Sequence, residues 1–322
     1  MSWIDDPVLV HVGLPKTATS WLQEYYFPQP WSGFWIPPVP SKAKHPIKQI
    51  GHWIVTEEDG RLIDPADFDC QKLRAKLSDI KAPAGYVPVV SNERLAGHPL
   101  SNGFDRRFLA ERIKQVFPKA KILLTIREQN SVIMSNYMQY LKYGGWHSPE
   151  KFLKPDSDAR LPSLTLQFWN YDRLFNLYCE IFDEKNVLIL PQELLRADPL
   201  GFLGAIAAFS GVAVPSAFNH RAEANPRKPH SSSYLLRRLT FLSRKSSANA
   251  FTPPFFGEYA DRLIDKAAKT VFNLLTPAVM EKRIQNSLTQ KINVIVGDFY
   301  RESNRQLAAK VKTDLAALGY KI

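Results

Sequence analysis

The sequence predicts an α/β fold: a three-layer α/β/α arrangement with a central, mainly parallel sheet and a largely helical C-terminal region. Two observations predict it. Short apolar runs rich in β-branched residues alternate with helical segments over the first two thirds of the chain. Three of these runs also end in glycine or a charged residue, at Gly13, Glu93 and Arg127. Ligands bind at the carboxyl ends of strands in such sheets, so we expect these three positions to share one edge.

The elements follow from local pattern. The expected strands are residues 7–13, 85–91, 121–126 and 186–190. The expected helices are residues 19–26, 105–117, 131–143, 164–182 and 200–209. In the second of these helices one face is formed by Phe108, Leu109, Ile113, Val116 and Phe117. The segment 27–46 is rich in proline and tryptophan and is expected to be a loop.

Composition sets broader limits. The chain has 322 residues, 45% of them hydrophobic, which is enough to bury a sizeable core. We expect one domain over residues 1–322, with an α/β core over 1–225 and a mostly helical extension over 226–322. The net charge of +11 favours anionic partners such as nucleotides, nucleic acid, acidic glycans or an anionic membrane. Cys70 and Cys179 show no metal or redox spacing.

The start of the chain lacks a basic region followed by a long apolar run, which is the pattern of a secretory signal. No apolar stretch reaches the roughly 18 residues of a membrane-spanning helix. We therefore expect a cytoplasmic protein.

The most informative segment follows the first strand and opens a helix. It reads Gly13-Leu14-Pro15-Lys16-Thr17-Ala18-Thr19-Ser20-Trp21. A helix N-terminus offers unpaired N–H groups and a positive dipole end, which suit a phosphate. It is not a Walker A loop, because the lysine comes three residues after the first glycine and no second glycine precedes it.

This loop resembles the P-K-[ST]-G-T-[ST]-W loop of the sulfotransferases that use PAPS (3′-phosphoadenosine 5′-phosphosulfate), in particular bacterial and carbohydrate-type members. The resemblance implies a P-loop-like fold, PAPS as donor and PAP as product, without a metal. It also implies that the loop holds the 5′-phosphosulfate through Pro15, Lys16, Thr17, Ala18, Thr19 and Ser20, with Trp21 near adenine. The family often has glycine at the position of Ala18.

A second motif carries the same resemblance. Arg127 ends the third expected strand, and Ser135 follows eight residues later on a helix. In the family this pair holds the 3′-phosphate that distinguishes PAPS from ATP, and a guanidinium suits that task because it binds phosphate bidentately. Arg227 and Lys228 are further candidates by similarity to a closing Arg-Lys-Gly segment, although Pro229 replaces the glycine. A solvated basic run explains these two residues equally well.

Sulfuryl transfer requires positive charge near the leaving phosphate and a general base for the acceptor. Lys16 is the expected electrostatic group. Glu93 is the expected base, as in carbohydrate-type members, and a salt bridge with Arg94 or another arginine is the alternative explanation of this residue. His98 is the next candidate base, followed by His52 and His11. Glu193 is expected to be structural.

Family analogy favours a carbohydrate or glycolipid acceptor, without deciding between O- and N-sulfation. Two other functions compete with sulfuryl transfer. A small-molecule kinase shares the fold but needs a Walker A loop. The second competing function is that of a basic module that binds nucleotides or membranes without catalysis. Residues 231–245 could form an amphipathic helix at a membrane surface, which would favour this function, or a helix that packs on the core with a basic outer face.

Overall fold

The computed structural model describes residues 2–40, 46–57, 61–143, 145–154, 163–215, 234 and 278–322. Within these residues a five-stranded sheet has the order β2-β3-β1-β4-β5, and all four neighbouring pairs are parallel. The strands are β1 (Leu9–His11), β2 (Phe34–Trp35), β3 (Val87–Ser91), β4 (Lys121–Ile126) and β5 (Val187–Pro191). The predicted α/β class with a parallel sheet is confirmed.

Helices pack around this sheet. Over the described ranges they are α1 (Thr19–Trp21), α2 (Gln49–Val55), α3 (Cys70–Ser78), α4 (Arg106–Val116), α5 (Gln129–Lys142), α6 (Pro149–Leu153), α7 (Tyr171–Phe182), α8 (Leu194–Ala197), α9 (Pro199–Ser210), α10 (Ala278–Val296) and α11 (Arg301–Ala308). A π-helical turn, Leu22–Tyr26, continues α1. None of the helices in the described ranges combines the length and the apolar character needed to cross a membrane.

Strand β1 occupies the centre of the sheet and is completely buried. Its last residue, His11, pairs with Ser91 of β3 on one side and with Leu123 of β4 on the other. The segments that leave β3, β1 and β4 therefore emerge side by side, as expected from the residues that end the strands. This arrangement brings the loop after Gly13 next to Glu93 and Arg127.

Some local expectations were wrong. Strand β2 lies in the segment expected to be a loop, and it pairs over only two residues. The expected helix over 164–182 is a 3-10 turn, Leu166–Trp169, followed by α7, because Asn170 has an extended backbone between them. Phe108 is 39% exposed. The buried stripe of α4 is centred on Leu109 and Ile113, and a neighbouring residue is turned away by about 100°.

The C-terminal helices are joined to the sheet-bearing part by buried polar contacts. Asn304 of α11 is fully buried, and its side-chain oxygen accepts a hydrogen bond of 2.6 Å from Gln129 Nε2 at the start of α5. The Asn304 amide nitrogen donates to the Lys321 carbonyl at 2.9 Å. Glu193 accepts from the Glu128 backbone N–H at 3.0 Å and from the Tyr320 hydroxyl at 3.2 Å. These are the contacts of a structural residue, as predicted for Glu193.

Replacing Asn304 by alanine should lower the free energy of unfolding by about 2–3 kcal/mol, because the buried Gln129 amide then loses its partner. Asn176→Ala is the matched control: this asparagine is exposed and bonds only to Lys310 among the described residues, so its loss should change stability by less than about 0.5 kcal/mol. Urea unfolding of both variants measures the difference. Equal small losses would mean that the Asn304–Gln129 pair contributes little.

Candidate functional site

The loop between β1 and α1 has an unusual backbone. Lys16 and Ala18 both adopt left-handed conformations, with φ of 73° and 63°. Alternation of left-handed residues turns successive backbone N–H groups toward one side, which forms a concave anion site. Ala18 is the N-cap of α1, and no side chain caps this helix start. The loop therefore presents N–H groups and a helix N-terminus together, as an anion-binding loop requires.

The loop lies close against the strands beneath it. A Cβ on Gly13 would lie 2.5 Å from Thr19 Oγ1, 2.7 Å from His11 Nε2 and 2.8 Å from Thr125 Oγ1. No side chain fits at these distances without displacing the polar groups around it. Glycine at this position thus allows the chain to pass over the end of β1 and turn into the loop.

A chain of buried hydrogen bonds crosses the sheet under the loop. His11, at the end of β1, bonds through Nδ1 to the Ser91 hydroxyl at 2.8 Å and through Nε2 to the Thr125 hydroxyl at 3.0 Å. Gln23 Nε2 of the π-helical turn donates to the Ser91 hydroxyl at 2.9 Å. Burial, the largest effect, lowers the pKa of His11 to about 3, so its imidazole is neutral.

The direction of this chain follows from counting protons. The Thr17 hydroxyl donates to the Leu14 carbonyl at 2.6 Å, so it accepts from the Thr125 hydroxyl, which lies 2.8 Å away. Thr125 has then used its proton and must accept from His11 Nε2–H. The neutral histidine consequently accepts from Ser91 at Nδ1, and every hydroxyl in the chain has one donor and one acceptor role.

The predicted loop residues differ in their availability. The Thr17 hydroxyl points into the protein and is fully buried, so this residue can meet an anion through its backbone N–H. Thr19 is also buried, whereas Ser20 and Ala18 are half-buried. Trp21 is only 6% exposed and packs against Tyr25 at a ring-centroid distance of 6.3 Å, which leaves little of its face for a base.

Lys16 is the exposed cation of the loop. Partial burial of its ammonium lowers the pKa of Lys16, as do the positive charges of Lys142 and Arg127, while the Glu93 carboxylate raises it. These interactions show that charges from α5, from the end of β4 and from the turn after β3 meet at the loop. The structure therefore brings Lys16, Glu93 and Arg127 into one site.

Glu93 begins the turn after β3, and its partner is a lysine that the sequence did not suggest. Lys48 Nζ donates to Glu93 Oε1 at 2.8 Å. Burial raises the pKa of Glu93, but the charge and hydrogen bond of Lys48 act against it together with the Glu93 backbone N–H and Gln23, so the pKa lies below that of an ordinary glutamate. The expected alternative partner, Arg94, instead forms an ion pair with Asp105 at 2.5 Å.

The candidate histidines occupy different places. His98 caps a short 3-10 turn, where its Nδ1 accepts from the Leu100 backbone N–H at 3.1 Å. Burial lowers the pKa of His98, with Arg94 and Asp105 as its charged neighbours, so it belongs to a cluster beside the Glu93 turn. Burial likewise lowers the pKa of His52, and its charged neighbours are Lys48 and Glu93. The Glu93 carboxylate is therefore a charged neighbour of His52, whereas the charged neighbours of His98 are Arg94 and Asp105.

Arg127 and Ser135 lie at the end of β4 and on α5, and both are half-buried. The Arg127 carbonyl accepts from the Tyr171 hydroxyl at 2.6 Å, which fixes the backbone at the strand end. The next residue, Glu128, caps α5 by accepting from the Asn130 and Ser131 backbone N–H groups at 2.8 Å each. The other two candidate cations, Arg227 and Lys228, lie outside the described residues.

Sequence reasoning missed Lys48 and Lys142. Lys142 ends α5, where a cation complements the helix dipole, and no local motif separates it from any other C-terminal lysine. Lys48 lies 45 residues before Glu93, and only the packing of α2 brings the two together. In the described ranges no group of three His, Cys, Asp or Glu side chains could hold a metal ion.

The left-handed backbone at Ala18 leads to a test of the loop itself. Ala18→Gly should raise the free energy of unfolding by about 0.5–1 kcal/mol, since glycine adopts this conformation without the steric cost of a Cβ. Ala110→Gly, in the middle of α4, should lower it by about 1 kcal/mol. Opposite signs in denaturant unfolding are the expected result; two losses of similar size would contradict the strained backbone at Ala18.

The model of a family described as "Sulfotransferase family" matches residues 106–216, about a third of the chain, including β4, α5, α7 and β5. This segment contains Arg127 and Ser135, whereas the loop around Lys16 lies outside it. No curated protein sequence matches the chain significantly.

Solved structures with similar folds include a sulfotransferase from Alicyclobacillus acidocaldarius, 20% identical, with a TM-score of 0.48, covering 75% of this chain and 98% of that one. The sulfotransferase domain of the Synechococcus PCC 7002 olefin synthase is 13% identical, with a TM-score of 0.40 and coverage of 82% and 94%. A mouse sulfotransferase complexed with PAP is 16% identical, with a TM-score of 0.38 and coverage of 93% and 88%.

These structural similarities are low, and the family match is the stronger finding. It agrees with the sulfotransferase resemblance predicted from the sequence, and of the two motifs it includes the one at Arg127. The family match over residues 106–216 supports a relationship between this chain and the sulfotransferases.

Proposed function

We propose that the chain transfers a sulfuryl group from PAPS to a hydroxyl or amine of an acceptor and releases PAP. The observation that supports this most directly is the placement of two anion-binding features at one edge of the sheet. The loop with Lys16 follows β1, and Arg127 follows the neighbouring strand β4. PAPS carries a phosphosulfate at its 5′ end and a separate 3′-phosphate, so it requires two such features.

In the proposed reaction the acceptor oxygen or nitrogen forms a bond to sulfur, and the bond from sulfur to the bridging oxygen of the 5′-phosphate breaks. Negative charge develops on the departing phosphate. Lys16 and the backbone N–H groups around Ala18 are placed to stabilise that charge, which is the main task of a protein in this type of transfer. The nucleotide side of the site thus combines Lys16, Arg127 and Ser135.

The acceptor must lose a proton, and Glu93 is the proposed base. Its pKa lies below that of an ordinary glutamate, so it is ionised at neutral pH and able to receive the proton. We further propose a carbohydrate or glycolipid acceptor. A carboxylate base suits a sugar hydroxyl as the acceptor.

Nucleotide preference tests the proposal first. The protein should bind PAP more tightly than ADP, ATP or AMP in isothermal titration, because only PAP fills both phosphate positions. Arg127→Met should weaken PAP binding by about 10- to 100-fold and leave AMP binding unchanged, since AMP lacks the 3′-phosphate. Arg173→Met, an exposed arginine on α7, is the control and should change neither affinity. Tighter binding of ATP than of PAP would favour a kinase instead.

Turnover tests the roles of the two charged side chains. With PAPS and a panel of sugars, glycolipids and phenols, Lys16→Ala should lower the rate by about 100-fold or more, as expected for loss of a group that stabilises the transition state. Glu93→Gln should abolish transfer and leave PAP affinity nearly intact. Lys119→Ala, at an exposed lysine after α4, should have no effect. Normal turnover of the Glu93→Gln variant would move the base to His98 or to the acceptor itself.

A further inference from the structure

The Glu93 carboxylate has an asymmetric environment. Its Oε1 accepts from Lys48 Nζ at 2.8 Å, whereas its Oε2 is buried and has no hydrogen-bond partner among the described residues. The two side chains are largely shielded from solvent, at 16% exposure for Lys48 and 35% for Glu93. A carboxylate in such a place needs a donor, because leaving a buried charge unpaired is costly. Within the described residues Lys48 is the side chain that supplies one with good geometry.

The position of Lys48 is itself fixed by packing. Lys48 is the residue just before α2, and its carbonyl accepts a hydrogen bond of 3.0 Å from Asn92 Nδ2. Asn92 is the residue before Glu93, and its side-chain oxygen accepts from the Arg94 backbone N–H at 2.9 Å. One asparagine thus ties the backbone of Lys48 to the turn that carries Glu93.

A glycine permits this contact. A Cβ on Gly51 would lie 2.4 Å from the Cβ of Asn92, so any larger residue would push α2 away from the turn. Gly51 lies one helical turn after Lys48. The ion pair between Lys48 and Glu93 therefore requires that α2 approach the turn at Asn92 closely, and glycine at position 51 allows this. Neither Gly51 nor Asn92 has been assigned a part in binding the donor.

Other charged or titratable groups also face Glu93. From α2 comes His52, from β1 the neutral His11, and from the loop between β1 and α1, named the phosphate loop below, Lys16. Gln23 and the backbone N–H of Glu93 favour the charged carboxylate, although neither reaches Oε2 with hydrogen-bond geometry. Lys48 is the strongest of the influences that oppose the cost of burial.

We propose that Lys48 is a positioning residue for Glu93: it keeps the carboxylate ionised and holds it in one orientation beside the phosphate loop. This inference rests on the proposed function only for the role of Glu93 as base. The electrostatic part concerns two side chains of this chain and needs no substrate to be tested.

The test is an NMR titration of the Glu93 side-chain carboxyl carbon in full-length protein, assigned with Glu93→Gln. In the wild type the titration midpoint should lie below that of an ordinary glutamate. In Lys48→Met burial is no longer opposed by Lys48, so the midpoint should rise clearly above that of the wild type; Lys48→Arg should restore a low midpoint. Lys72→Met, at an exposed lysine of α3, is the matched control and should leave it unchanged. An unshifted midpoint in Lys48→Met would overturn the proposal.

Two further measurements separate this inference from folding and from the proposed function. Lys48→Gln should give the same upward shift, and a PAP affinity close to the wild type in that variant shows that the fold is intact. In transfer assays the acid limb of the pH–rate profile should move to higher pH in Lys48→Met and return in Lys48→Arg, because Glu93 acts only when ionised. A protein that binds no PAP, yet whose Glu93 titration follows Lys48, would reject the sulfotransferase proposal and retain the coupling.

Discussion

The site depends on the buried hydrogen-bond chain that runs through His11. This histidine joins Ser91, two residues before Glu93, to Thr125, two residues before Arg127. Thr125 continues the chain to Thr17 in the phosphate loop. Because each bond in the chain has a defined donor and acceptor, the strand ends have one low-energy arrangement. A buried hydrogen-bond network rigidifies its surroundings, and here the bonds of His11 and Thr125 fix the relative positions of three segments that leave the sheet.

The same chain explains why the loop can carry strain. Lys16 and Ala18 hold left-handed backbones that cost free energy in residues with a Cβ. The loop is held at two points: Thr17, between the two strained residues, bonds to the Leu14 carbonyl, and Gly13 passes over His11 without room for a side chain. Strain of this kind persists at functional sites when the surroundings over-determine the backbone. The resulting concave surface has its N–H groups oriented before any anion arrives.

The sequence was sufficient to predict those parts of the candidate site that are formed by residues close together in the chain. The phosphate loop, the strand before it and the pair Arg127 and Ser135 are local motifs, and their alignment follows from the rule that parallel strands end at one edge. The sequence was insufficient to predict features that are determined by tertiary packing. The break at Asn170 within an otherwise helical pattern, the inward direction of the Thr17 hydroxyl and the ion pair between Lys48 and Glu93 all depend on contacts between segments distant in sequence. Periodicity does not encode such contacts.

The two proposed phosphate positions are supported in different ways. On the 5′ side the loop rests on the buried chain through His11, inside the sheet. On the 3′ side Arg127 is followed by two residues that the C-terminal region braces: Glu128 through Glu193 and Tyr320, and Gln129 through Asn304. The C-terminal helices therefore support the start of α5, and with it the backbone that presents Arg127 and Ser135. Weakening these C-terminal contacts should disturb the proposed 3′-phosphate position at Arg127 and Ser135 before it disturbs the loop around Lys16, because the two supports share no hydrogen bond among the described residues.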